Sequence, residues 1–341
     1  MRLFARFFIC FFLLLAVAWQ ALPRLYGSSY PKPLGPEVDR HIRYNYMEQL
    51  IAEHDRVVLL GDSALFNSVD QAAFQQALGL NTLDIAIPGS ASALWYLIFE
   101  NNLVDSSFRP RAVVIFFRDS QLTTADFRVT GKYFVTLDEY AGLNDTLFVQ
   151  RAFIDPMNPV EKLAEMYLPL YGERLALRQT QDYWIKYKIP ALLARCDQTC
   201  ADAAIKRVFS QGGIDQDEFG NEVAAGESTL YDLQNLLFDR QLNRSFLPEM
   251  IRLAKQKDIR LIMVRQKTLR FSTSMSEPPA LSFYMHDLQA YLAQNGVPLV
   301  DFSSDERLKA SFFSDPVHMN KTGQAAFTQM AVEALEPLIK K

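Results

Sequence analysis

The sequence predicts an α/β protein built on a parallel sheet with helices on both faces. Short apolar runs rich in β-branched residues recur at 56–60, 82–87, 112–117, 259–264 and 298–302. Runs of this kind mark strands buried on both sides rather than on one. Helical patterns fill most of the intervals, at about 64–78, 91–104, 246–257 and 281–294, with a last one at 322–339. Alternation of strands with helices argues for parallel strands joined by crossover helices. In such sheets the functional groups gather at the carboxyl ends of the strands.

The N-terminus comes before this pattern begins. Arg2 and Arg6 precede an uncharged stretch, Phe7–Leu22, dominated by Phe, Leu, Ile and Ala. A segment of that composition is a secretion signal or a membrane anchor. Its length, 22 − 7 + 1 = 16 residues, falls short of the roughly 20 that span a bilayer comfortably. Ala16-Val17-Ala18 also looks like a small-residue cleavage site. Against cleavage, apolar character continues through Trp19 and Leu22, and Trp suits a membrane interface. The anchor is the preferred reading, with residues 1–22 in the inner membrane and the body on the periplasmic side. The alternative is a protein released into the periplasm after cleavage. Arg24 and Lys32, just beyond the segment, weaken the charge asymmetry. Residues 23–53 read as a linker, Pro-rich from Pro31 to Pro36, that leads into a domain at 54–341.

Composition excludes several classes. The chain has 341 residues, 49% hydrophobic and 22% charged, which is ordinary globular usage and not that of a disordered chain. Thirty-five Lys and Arg against 39 Asp and Glu leave a net charge of −4. Without clustered cations, non-specific nucleic-acid binding is not expected. Three cysteines and four histidines supply neither a disulfide scaffold nor zinc-ligand spacing, and no cofactor is called for. Cys10 lies in the apolar segment, whereas Cys196 and Cys200 stand four apart in a polar stretch. In an oxidising compartment a local disulfide is one reading of that pair, and two unpaired thiols on one helical face is the other.

One interval breaks the strand–helix rhythm. From Phe117 to Ile259 is 259 − 117 = 142 positions, far more than one crossover needs. Residues 123–244 therefore read as an insertion packed beside or over the sheet. It carries Tyr133, Phe134, Tyr140, Phe148, Tyr167, Tyr171, Tyr183, Trp184 and Tyr187. Most of these rings are expected to form the insertion's own core, with an exposed subset available to stack on sugar rings.

The chemistry falls at the predicted strand ends. The first core strand runs into Gly61-Asp62-Ser63, directly before a helical pattern. A serine there exposes its hydroxyl at the sheet edge, with its own N–H at a helix start, where a developing oxyanion would be stabilised. Near the C-terminus Asp315-Pro316-Val317-His318 precedes the final helix. A serine hydroxyl needs a base to become a nucleophile, and histidine titrates in the useful range. A carboxylate three residues earlier can hold the imidazole's other nitrogen and fix its tautomer. Taken singly, these residues also fit turns and caps. His41 and His54 lie in charged stretches and His286 in a helical pattern, all read as structural or solvent-facing.

Gly61-Asp62-Ser63 after the first strand, Gly89 after the second and Asp315-x-x-His318 before the last helix together resemble the SGNH, or GDSL, hydrolase superfamily. The resemblance covers about 54–120 and 245–341. It implies a three-layer α/β/α sandwich of flavodoxin-like type, with Ser63 as nucleophile, His318 as base and Asp315 as its orienting acid. It also implies that Gly89, in Ile87-Pro88-Gly89-Ser90, offers a backbone N–H to the oxyanion. The sequence departs from the family at the third block, where an asparagine after a glycine normally completes the oxyanion hole. Phe117-Arg118-Asp119-Ser120 stands there instead. Arg118 could supply the missing donor, but the preferred reading pairs it with an acidic neighbour. The N-terminal segment, the Ile87–Ser92 stretch and the long insertion are further similar to membrane-anchored extracytoplasmic acyltransfer proteins, those of alginate O-acetylation and of teichoic acid D-alanylation.

Three functions follow as expectations. The first is an O-acyltransferase, acetyl by preference, that modifies an exported cell-surface polysaccharide beside a membrane-bound O-acyltransferase partner. The second is a carbohydrate or lipid esterase with the same triad. The third is a non-catalytic scaffold or glycan-binding subunit of a membrane acylation complex. The anchor reading has its own check in N-terminal sequencing of the exported protein. Residues 1–18 are expected to remain, and a mature terminus at Trp19 would show cleavage.

Overall fold

The computed structural model describes residues 2–39, 41–174, 227–269 and 277–340, together with 177, 181, 184, 188, 189 and 192. Cys196 and Cys200 lie outside the described residues. The chain divides into two compact units, one of Glu37–Phe153 with Gly226–Lys341, the other of Met1–Pro36 with Ile154–Ala225.

The larger unit is built on five parallel strands, β1 Val57–Gly61, β2 Thr82–Ala86, β3 Ala112–Phe117, β4 Arg260–Arg265 and β5 Leu299–Asp301, in the order β2-β1-β3-β4-β5. Each falls within a residue or two of its predicted run. β1 and β3 are buried at every residue, as strands covered on both faces must be. Alternate side chains feed two separate cores. Val58, Leu60, Val113, Ile115, Leu261 and Met263 pack in one core with the helices Ser92–Ile98, Leu247–Gln256 and Pro279–Gln294. Val57, Leu59, Val114, Phe116, Ile262 and Val264 pack in the other with Ser63–Ser68, Gln71–Leu78 and Lys321–Ile339. The architecture is a three-layer α/β/α sandwich. In the second core Phe327 sits between Phe116 and Phe302, with ring centroids at 6.5 and 5.0 Å. Truncating a buried ring of this kind typically costs about 3–5 kcal/mol.

Two helices differ from expectation. The pattern at 64–78 forms two helices, because Val69 is extended and Asp70 starts a new one by accepting a hydrogen bond from Ala73 N at 3.0 Å. A short polar side chain competing for backbone donors is the usual reason for such a break. The helix from Ser92 continues past Ile98 as a π-helical stretch, Phe99–Val104, a geometry that periodicity does not reveal.

Of the stretch 123–244, the described residues to Phe153 and from Glu227 pack in this larger unit. Leu137, Tyr140, Phe148, Leu236 and Phe238 join the first core. Tyr140 and Phe148 therefore serve the sheet's core rather than one of the insertion's own. Tyr183 and Tyr187 lie outside the described residues.

The second unit carries the N-terminal helix Arg2–Tyr26, of which Leu3–Tyr26 is long and apolar enough to cross a membrane by length and composition. The helix is longer than the 16-residue apolar core read from sequence, because helical structure continues over Arg6 and through Pro23. Helices Pro159–Tyr167 and Pro169–Gly172 belong to the same unit.

Asp84 is the conspicuous polar residue of the sheet. It stands between Leu83 and Ile85 on β2, with one carboxylate oxygen buried and unpartnered, and burial pushes its pKa up to about 7. A carboxyl whose folded pKa exceeds its unfolded one favours the native state when protonated, and this advantage disappears as pH rises through the folded value. Asp84→Asn is expected to change stability little near pH 4. Near pH 8 it should raise it by about 2–4 kcal/mol, since each pKa unit corresponds to about 1.4 kcal/mol. Urea midpoints of both forms at the two pH values check this.

Candidate active site

β1 ends at Gly61, and Asp62 turns the chain into the Ser63–Ser68 helix. Its Oδ1 accepts from Ala64 N at 2.8 Å, which caps the helix and leaves Ser63 as the first helical residue. Ser63 is half-buried at the carboxyl edge of the sheet.

The C-terminal loop brings the other two groups to it. Phe313 and Met319 are buried in the second core and form an antiparallel bridge. Asn320 caps the final helix through Gly323 N at 3.0 Å. Gly323 is needed there, since a Cβ would lie 2.2 Å from Phe312 O. Between these anchors Asp315 Oδ1 accepts from the N–H groups of Val317 and His318, both at 2.8 Å. Asp315 Oδ2 lies 2.7 Å from His318 Nδ1, and His318 Nε2 lies 2.8 Å from Ser63 Oγ. The three predicted residues form one hydrogen-bonded line. Burial pushes the Asp315 pKa up, but the bonds from the His318 ring and the two backbone donors outweigh it and hold the carboxyl below its ordinary value. An ionised carboxylate on Nδ1 leaves Nε2 free to accept the serine proton.

Gly89 occupies the third position of the turn Ile87–Ser90, closed by Ser90 N donating to Ile87 O at 3.0 Å. Its φ of 81° is left-handed, and a Cβ would meet the Tyr133 ring at 2.8 Å, so the position requires glycine. Ser90 Oγ donates to Gly61 O at 2.9 Å and accepts from Trp95 Nε1 at 2.8 Å. The Gly89 turn is thereby tied to the residue two before Ser63.

Arg118 goes elsewhere. Its guanidinium makes a bidentate pair with Glu227, at 2.5 and 2.8 Å, and stands 3.6 Å from Asp62 Oδ2. Burial alone would lower its pKa, yet Asp62, Glu227 and Asp119 together raise it. Arg118 is thus buried, with both terminal nitrogens bonded to Glu227. This is the acidic pairing that the sequence reading preferred, with the carboxylate supplied by residue 227.

Sequence reasoning missed Gln121 and Glu227. Gln121 is fully buried, donates from Nε2 to Asp62 Oδ2 at 3.0 Å and accepts from Arg118 N at 3.0 Å. Its signal was present: Arg118-Asp119-Ser120-Gln121 is a polar run directly after an all-apolar strand. Glu227 also takes Arg128 at 2.6 Å. It lies 109 residues from Arg118, and no local pattern marks it.

No family model matches the sequence, and no curated protein matches it. Solved structures similar to it include a protein of the G-D-S-L lipolytic family from Desulfitobacterium hafniense, at 11% identity over 82% of this chain and 98% of that one, TM-score 0.39. A family two carbohydrate esterase from Clostridium thermocellum, in complex with cellohexaose, has 10% identity over 92% and 67%, TM-score 0.32. A carbohydrate esterase family 2 enzyme with a carbohydrate-binding domain from Corynascus thermopiles has 12% identity over 91% and 69%, TM-score 0.33.

Breaking a buried ion pair strands a charge. Glu227→Ala leaves Arg118 and Arg128 facing each other without their shared carboxylate. It is expected to cost about 3–5 kcal/mol, read as a lower urea midpoint. An unchanged midpoint would show that Asp62 or Asp119 takes over.

Proposed function

We propose that the chain is a serine acyl-transfer enzyme of the SGNH type, and that it moves an acyl group onto a hydroxyl of an exported polysaccharide. The observation that carries the serine chemistry is the hydrogen-bonded line Ser63–His318–Asp315. In the first half-reaction Ser63 Oγ attacks the donor's acyl carbonyl while His318 Nε2 takes the serine proton. The leaving group departs with that proton, and an ester on Ser63 remains. In the second, a sugar hydroxyl attacks the ester, His318 takes its proton and returns it to Ser63, and the acyl sugar leaves. The N–H groups of Ser63 and Gly89 would hold the oxyanion in both steps.

The membrane-length helix supports transfer over hydrolysis, and a weakened oxyanion hole is compatible with it. Arg118 is bound to Glu227, so the third-block donor is not replaced by this side chain. A missing donor of this type costs about 10²–10³ in rate, a loss that a locally delivered acyl group offsets. The apolar N-terminal helix is of a length to hold the chain at a membrane, where a membrane-bound O-acyltransferase would deliver it. One observation favours the esterase instead: Asp315 and His318 expose 47% and 31% of their side chains, so water has access to the acyl-serine.

An activated acyl ester, supplied with and without acyl-free oligosaccharides, tests the reading. Acyl-sugar is expected to form, and Ser63→Ala or His318→Ala to reduce it by roughly 10⁴-fold or more. Release of free acid that no glycan alters would make the chain an esterase. Glycan binding without either product would make it a scaffold.

A further inference from the structure

The Pro159–Tyr167 helix has an unusual surface for its position. None of its residues is buried. Val160 and Leu163 are 75% and 60% exposed, and Tyr167, Leu168 and Leu170 are exposed beside them. Val160, Leu163 and Tyr167 are spaced three and four apart and so lie on one helical stripe. The two carboxylates are engaged elsewhere. Glu161 closes a capping box with Asn158, while Glu165 pairs with Lys32 at 3.2 Å and with Arg174. The helix is apolar on one side and carries Glu161, Lys162 and the ion-paired Glu165 on the other.

The same helix is fastened to the foot of the N-terminal one. Six positions after Tyr26, Lys32 N donates to Met166 O at 3.1 Å and Lys32 Nζ to Gly172 O at 2.8 Å, and Tyr30 Oη donates to Glu173 Oε1 at 3.0 Å. Gly172 permits this approach, since a Cβ would lie 2.6 Å from the Tyr30 hydroxyl. Where Leu3–Tyr26 spans a bilayer, this exposed stripe is held within a few residues of the point where the chain leaves it.

We infer that the 159–172 segment is a membrane-docking element that lays Val160, Leu163, Tyr167, Leu168 and Leu170 into the headgroup–acyl boundary beside the spanning helix. The inference rests on the anchor reading of Leu3–Tyr26 for its placement. Amphipathic helices of this kind lie in the interface plane with the apolar stripe about 5–10 Å deep, and tyrosine is favoured at that depth. Two attachments restrict how the chain stands on the membrane, where a single helix would leave it free to swing.

The experiment uses the full chain in vesicles of phosphatidylethanolamine and phosphatidylglycerol that contain a phospholipid with a diazirine high on its acyl chain. Cross-linked peptides are identified by mass spectrometry. Label is expected in the N-terminal helix and in 159–172. In the variant combining Val160→Ser, Leu163→Ser and Tyr167→Ser, all exposed positions, label at 159–172 should be lost while that in the N-terminal helix persists. Label confined to the N-terminal helix would overturn the docking and leave the anchor standing. Label at 159–172 on a chain that begins at Trp19 would support docking and refute the anchor. Label in neither peptide would overturn both.

Discussion

The site depends on one buried carboxylate. Asp62 lies at the seam between β1 and the helix that begins with Ser63, and its two oxygens face in different directions. Oδ1 caps the helix through Ala64 N, and Oδ2 takes Gln121 and stands near Arg118. A buried charge without partners is costly enough to reorganise its surroundings. The end of β3 therefore supplies a cation and an amide to it, and Glu227 balances that cation in turn. This arrangement holds the helix start at which Ser63 stands.

Above the sheet edge the opposing half is held by a different means. The loop that bears Asp315 and His318 is pinned at Phe313 and Met319 in the core under the final helix, and Asp315 organises its own backbone by accepting from Val317 and His318. Its carboxylate thus shapes the loop with one oxygen and orients the imidazole with the other. The two halves of the Ser63–His318 contact lie 255 residues apart. They meet because the Ser63–Ser68 helix and the final helix, Lys321–Ile339, cover the same face of the sheet. Core packing on that face and alignment of the hydroxyl with the imidazole are consequently one property.

Arg118 shows what residue chemistry leaves open. At the end of the third strand an arginine could serve an anionic substrate as readily as an internal carboxylate. What decides is a partner that arrives from residue 227, after the chain has left this unit and returned to it. The break in the helix at Val69-Asp70 has a simpler origin, since Asp70 caps the second segment within the same local stretch.

Much of the fold was legible in the sequence, because burial on both faces forces strands such as Val57–Gly61 and Ala112–Phe117 to be apolar throughout, and this marks them without knowledge of their neighbours. Ser63, Asp315 and His318 were legible for a related reason: their spacing relative to strand ends and to the last helix is local. Gln121 was visible as part of a polar run but without a role, and Glu227 was invisible. The strand order β2-β1-β3-β4-β5, the two cores and the Glu227–Arg118–Asp62 chain of charges all join distant segments. Local propensity and hydrophobic period act over a few residues and determine which elements form. Which of two possible partners a buried charge takes is decided only when packing brings one of them within hydrogen-bonding reach.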